Sequence, residues 1–188
     1  MPNSRKPEVD LRAEQKRIYQ GSAAAFLVCS VVLCAAYVYL PRLVQFPHDD
    51  LQSNLTFWAG SNVFIVIWIM IGVGMVSRGR RHSIEDIRGS AYSAPSPRIA
   101  VPVAFLQNTL EQAVIAMFLQ LALALLLGSD AMPVIGASVL LFGVGRITFF
   151  FGYPNGAGAR SFGMALTALP SLAAFVLVTG ALVSRMWQ

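Results

Sequence analysis

Two arginines and a tyrosine stand at seven-residue intervals in an apolar part of the chain: Arg146, Tyr153 and Arg160. Asn108 and Glu111 lie three positions apart in an earlier apolar run. A charged group inside a bilayer is costly unless it is paired or wet, so each of these is a candidate for function. Glu111 and Arg146 can form an ion pair that holds two helices in register, or one that frames a polar pocket. Asn108 shares a broad helix face with Glu111 and can join that pocket or simply bond across helices. Tyr153 reads as a site residue or as an interfacial belt residue. Arg160 reads as a site residue or as an anchor that snorkels to the interface. Arg146 and Tyr153 share a face if the helix between them is unbroken. Arg160 lies beyond the turn Pro154-Asn155-Gly156, so spacing does not set its direction.

The elements that must hold these groups are membrane helices. The chain has 188 residues, of which 56% are hydrophobic and 12% charged, with a mean hydropathy of +0.62. Apolar runs of about 18 residues or more indicate spanning helices. Residues 1–20 read as a polar tail on the cytoplasmic side, and residues 21–41 as a first transmembrane helix closed by Pro41. A cleaved signal peptide is the rival reading of that run, but its end at Tyr37-Val38-Tyr39-Leu40 lacks the small-residue exit such a peptide needs. Further spans are expected over about 57–76, 103–127, 132–152 and 160–183. A Ser-, Pro- and Gly-rich loop over 77–102 separates the second from the third. Pro170 is expected to kink the last. With the N-terminus inside, Arg5, Lys6, Arg12, Lys16, Arg17, Arg78, Arg80, Arg81, Arg88, Arg98 and Arg160 fall on the cytoplasmic side. Arg42 and Arg185 alone fall outside, and the C-terminus is external or lumenal. On this plan Glu111 and Arg146 sit at matched depth, roughly 10–12 Å from the cytoplasmic end of antiparallel neighbours.

Other chemistries find no support. The net charge of +5 flanks apolar segments, which is a membrane-orientation pattern and does not point to nucleic acid. Cys29 and Cys34 point different ways on one helix and form neither a disulfide nor a metal pair. His48 and His82 fall in loops and read as solvated. No catalytic triad, metal cluster or phosphate-binding loop is present, and the absence of an internal repeat weighs against a transporter.

Asn108-Thr-Leu-Glu111 early in one span, Arg146 and Gly152-Tyr153 closing the next, and Arg160 opening the last together resemble the MAPEG family, the membrane-associated proteins of eicosanoid and glutathione metabolism. The resemblance covers about residues 57–183 and implies an all-α, four-helix membrane domain, to which 21–41 adds one helix. It further implies a homotrimer that binds glutathione between subunits. Arg160 then matches the catalytic arginine that holds the glutathione sulfur as thiolate; Asn108, Glu111 and Tyr153 match positions that grip the tripeptide, and Arg146 matches a structural or binding arginine. Ala104, Gln112 and Phe149 depart from the pattern of leukotriene C4 synthase, where an arginine and two tyrosines stand. The expectation is a glutathione-dependent transferase or peroxidase acting on lipophilic electrophiles. Its alternative is a non-catalytic member with a lipid-binding or regulatory role, favoured by the lost donors at Ala104 and Phe149.

Overall fold

The computed structural model describes residues 10–187. Five α-helices follow one another: α1 (Leu11–Leu43), α2 (Leu51–Arg81), α3 (Pro97–Leu127), α4 (Met132–Gly152) and α5 (Ala157–Met186). Short 3-10 turns at Gly128–Ala131 and Tyr153–Asn155 separate the last three. Among the described residues there is no strand. Four helical segments, Leu11–Leu43, Leu51–Arg81, Pro97–Asn155 and Ala157–Met186, are long and apolar enough to cross a membrane. The third is folded on itself at Gly128–Ala131, because the Phe105 ring of α3 stacks 6.3 Å from Phe149 and 5.3 Å from Phe150 of α4. The chain is therefore an all-α integral membrane protein.

All helices but α4 outrun the apolar stretches that announce them, and polar caps set the starts of α1 and α2. Asp10 accepts hydrogen bonds from the amides of Arg12 and Ala13, so α1 begins inside the stretch expected to be a solvated tail. Residues 1–9 of that stretch lie outside the described residues. Pro41 does not close α1, which runs two residues further. Asp50 caps α2 through the Ser53 amide, six residues before the expected start. The loop expected over 77–102 is shorter, since α2 continues to Arg81 and α3 starts at Pro97. At the last helix, α5 starts at Ala157 and continues through the buried Pro170.

The helices that carry the candidate residues are held together by small residues. A Cβ on Gly163 would collide with the backbone of Phe149 and come within 2.6 Å of the Gly145 carbonyl oxygen. A Cβ on Gly145 would in turn come within 2.9 Å of the Gly163 carbonyl oxygen. Backbone atoms cannot move aside as a side chain can, so α4 and α5 cross in contact only because both positions are glycine. The first helix packs along the same α5. Ala25 and Cys29 of α1 are buried with Leu141 and Leu166. Below them, the Glu14 carboxylate accepts a hydrogen bond from the Gly158 amide at 2.8 Å. Gly156 at the start of α5 has no side chain to cap that helix, and Glu14 supplies the missing acceptor together with a negative charge at the positive end of the helix dipole.

Two acidic residues order the connections. At the end of the bundle that carries Arg78, Arg80 and Arg81, hereafter the basic end, Asp86 is buried and accepts from the Ser96 amide at 2.9 Å and from the Ser96 and Ser83 hydroxyls. At the other end Asp49 accepts from the Ser129 amide at 3.0 Å and from Asn54 at 3.2 Å, tying the α1–α2 connection to the α3–α4 turn. Hydrogen bonds from Ser83 and then from Ser96 hold the Asp86 carboxyl below its ordinary pKa. A carboxyl with a depressed folded pKa contributes stability that is present above its unfolded value and lost as pH falls through the folded one. The loop is therefore expected to stay ordered through mild acid and to open only below the ordinary carboxylate range of about 4. Amide exchange at Ser96 should accelerate several-fold only in that window, and in Asp86→Ala it should already be fast at neutral pH. Equal exchange in both proteins at pH 7 would remove Asp86 as the organiser of the loop.

Candidate functional site

Arg146 sits six residues before the end of α4 and is wholly buried, with a relative exposure of 0%. Its Nη1 donates to Asn108 Oδ1 of α3 at 2.8 Å, and its Nη2 donates to Thr167 Oγ1 of α5 at 2.7 Å. One arginine thus ties three helices. The crossing at Gly145 and Gly163 brings Thr167 within reach, and the Thr167 hydroxyl donates its own hydrogen bond to the Gly163 carbonyl at 2.7 Å. Arg146 Nε has no acceptor among the described residues. The partners are all neutral, so the guanidinium charge is met only by dipoles and by the faces of Phe149 at 4.8 Å and Phe142 at 5.5 Å.

From Arg146 a column of stacked groups runs to the basic end. The Phe149 ring packs edge-on to Tyr153 at 5.5 Å, and the Arg160 guanidinium lies over the Tyr153 ring at 4.3 Å. Arg146 and Phe149 of α4 and Tyr153, whose helical backbone angles just past Gly152 carry the turn on, stand at i, i+3 and i+7 and share one face. Arg160 joins them from α5 because Gly152 allows the first turn of α5 to close on the end of α4. A Cβ there would come within 2.7 Å of the Ala159 carbonyl carbon and 2.9 Å of the Arg160 Cα. Arg160 is half-buried. Among the described residues the only ion pair is Arg17–Glu14 at 3.5 Å, so no carboxylate neutralises Arg160.

Four of the five residues nominated from the sequence therefore meet: Asn108, Arg146, Tyr153 and Arg160. Glu111 does not join them. The expected Glu111–Arg146 ion pair is absent from the protomer. Glu111 is exposed and accepts a hydrogen bond from Gln107 at 3.2 Å. Three residues of helix turn Glu111 about 60° from Asn108, and α4 and α5 approach on the Asn108 side. Glu111 lies instead on the outer face with Gln107, Leu110 and Val114, all exposed. Ala104 and Gln112 are half-buried, and Phe149 is buried within the column. Phe149, which the sequence reading counted as a lost donor, is the ring that joins Arg146 to Tyr153 and so, through Tyr153, to Arg160. Thr167 and the glycines at 145 and 163 were missed, and Gly152 was read only as part of the family motif. The seven-residue spacing of Gly145 and Gly152, next to Arg146 and Tyr153, is the signal that could have exposed them.

With this geometry in place, the chain matches the model of the MAPEG family over residues 55–180, two thirds of its length. The chain belongs to the MAPEG family. Comparison with curated proteins and with solved structures gave no match. The matched MAPEG region takes in nearly all of α2 and the whole of α3 and α4, and it ends within α5, so all the column residues fall inside it. The whole of α1 lies before it as an addition to the MAPEG core. Among the described residues no group of His, Cys, Asp or Glu could hold a metal ion.

Proposed function

We infer that the protein is a membrane-bound glutathione-dependent transferase or peroxidase acting on lipophilic electrophiles, with Arg160 as the group that binds the thiolate. The observation that carries this reading is a half-buried guanidinium, fixed over the Tyr153 ring at 4.3 Å and without a carboxylate partner. A cation beside a thiol lowers its pKa and raises the fraction present as the nucleophile. The thiol proton leaves to solvent, the sulfur forms a bond to the electrophilic carbon, and the leaving group departs with its electron pair. Asn108 is oriented by Arg146 to offer its amide, Tyr153 offers its phenol, and Glu111 faces outward where an adjacent subunit of a homotrimer packs. A carboxylate turned outward from a membrane helix calls for such cover. Equilibrium titration of the trimeric protein with glutathione, followed at the thiolate absorbance band, tests the reading. Saturable appearance of thiolate at pH 7 is expected. A trimer that shows no signal at millimolar glutathione would leave the alternative, a non-catalytic lipid-binding member. That reading is favoured by the half-buried Ala104, which offers no donor.

We further propose that the basic end faces the cytoplasm, a reading supported by the clustering of Arg78, Arg80, Arg81, Arg88 and Arg98. The N-terminus is then cytoplasmic and the C-terminus external or lumenal. In a background free of Cys29 and Cys34, an impermeant maleimide should leave Ser90→Cys unlabelled in intact cells and label it after lysis. Labelling before lysis would invert the topology.

A further inference from the structure

The additional helix does more than cover α5. Ala25, Cys29 and Ala36 form one buried stripe of α1, and Ala25 and Cys29 pack with Leu141 of α4 and Leu166 of α5. Beside that stripe it stands away from the bundle, and a groove of about 740 Å³ opens between α1 on one side and α3, the start of α4 and α5 on the other. This volume falls within the range of small-molecule sites, roughly 300–1,000 Å³. The α1 wall extends from Phe26 to Val38, about 18 Å at 1.5 Å per residue, so the groove spans more than one leaflet of a hydrocarbon core about 30 Å thick. It lies toward the end of the bundle opposite Arg160.

The polarity of the groove is one-ended. The walls are built mainly from apolar side chains such as Leu33, Leu123, Leu169 and Leu172. The single charged group is Asp130, exposed at the α3–α4 turn. The two cations at this end are otherwise placed: Arg42 lies over the Tyr39 ring at 5.9 Å, and Arg185 donates to the Leu126 carbonyl at 2.9 Å. Asp130 accepts no ion pair or side-chain hydrogen bond among the described residues. An apolar slot somewhat longer than one leaflet, with an unpaired carboxylate at its interfacial end, is complementary to an amphiphile with an apolar chain and a cationic head. We propose that this groove binds a membrane lipid with a primary ammonium head group, its chain along α1 and its ammonium at Asp130.

The test is native mass spectrometry of the full-length protein in detergent, titrated with phosphatidylethanolamine and, separately, with phosphatidylglycerol. One phosphatidylethanolamine per protomer should be retained in preference to phosphatidylglycerol. Asp130→Asn should weaken that retention several-fold and abolish the preference. Ala173→Trp from the α5 wall and Ser30→Trp from the α1 wall should each fill the groove and remove the bound lipid. The two act from opposite sides, so a variant that fails to fold leaves the other to decide. Phe64→Trp, on an exposed position of α2 away from the groove, should leave retention unchanged. Equal retention of the two lipids, or retention unaffected by both groove-filling variants, would overturn the proposal. So would a change of oligomeric mass in those variants with the lipid count intact, which would make the groove an interface between copies of the chain.

Discussion

Arg160→Ala is expected to lower glutathione turnover by about 10–100-fold at pH 7 while leaving the fold intact. A neighbouring cation shifts an ionisable partner by about 1–3 pKa units, and free cysteine titrates near 8.5. Without the guanidinium, the bound thiol returns toward that value and little of it is ionised at neutral pH. Stability should change little, because Arg160 is only half-buried, makes no ion pair, and contributes one stack on Tyr153. Arg160→Lys should fall between wild type and alanine, since it keeps the charge and loses the planar fork. The deciding measurement is the pH profile of turnover with 1-chloro-2,4-dinitrobenzene or a lipid hydroperoxide. Both variants should recover as pH approaches about 8.5–9, where thiolate forms unaided. A snorkelling anchor predicts a different pattern: lysine equal to wild type, and no pH-dependent rescue of alanine.

The second large effect concerns the knot between three helices. Asn108→Leu removes an acceptor from a wholly buried charge, and a hydrogen bond to a charged group is worth about 1.5–3 kcal/mol. Arg146→Met removes the charge itself and releases Asn108 and Thr167. Because no carboxylate neutralises Arg146 in the protomer, loss of the charge also ends the cost of burying it, so Arg146→Met should destabilise less than removal of one member of a buried ion pair, which costs about 3–5 kcal/mol. In thermal or denaturant unfolding in detergent, the Asn108–Arg146 double-mutant cycle should show a coupling of about 1–3 kcal/mol. The Glu111–Arg146 cycle should be additive within about 0.5 kcal/mol. Coupling of Glu111 to Arg146 with none from Asn108 would contradict the geometry described above.

The membrane setting and the order of the helices were legible in the chain. Hydropathy is a local property, and a helix rises by a constant increment, so runs of apolar residues gave the five helices, and counting along them put Arg146 deep and Arg160 at an end. The seven-residue interval from Arg146 to Tyr153 gave a shared face for the same reason, since α4 is unbroken between them. Helix ends were less legible. Asp10, Asp50 and Glu14 extend or cap helices through hydrogen bonds, and hydropathy does not register these.

Three features were settled only by the tertiary structure. Rotation of α3 about its axis turned Asn108 inward and Glu111 outward, because burial depends on which neighbour arrives and from which side. The position of Arg160 over Tyr153 depended on the close approach allowed by Gly152, since spacing across a turn carries no angular information. Thr167 became the partner of Arg146 because Gly145 and Gly163 let two backbones touch. Composition and periodicity act along one helix at a time. The choice of contact between helices rests on where small side chains permit approach, and that is decided when the helices pack.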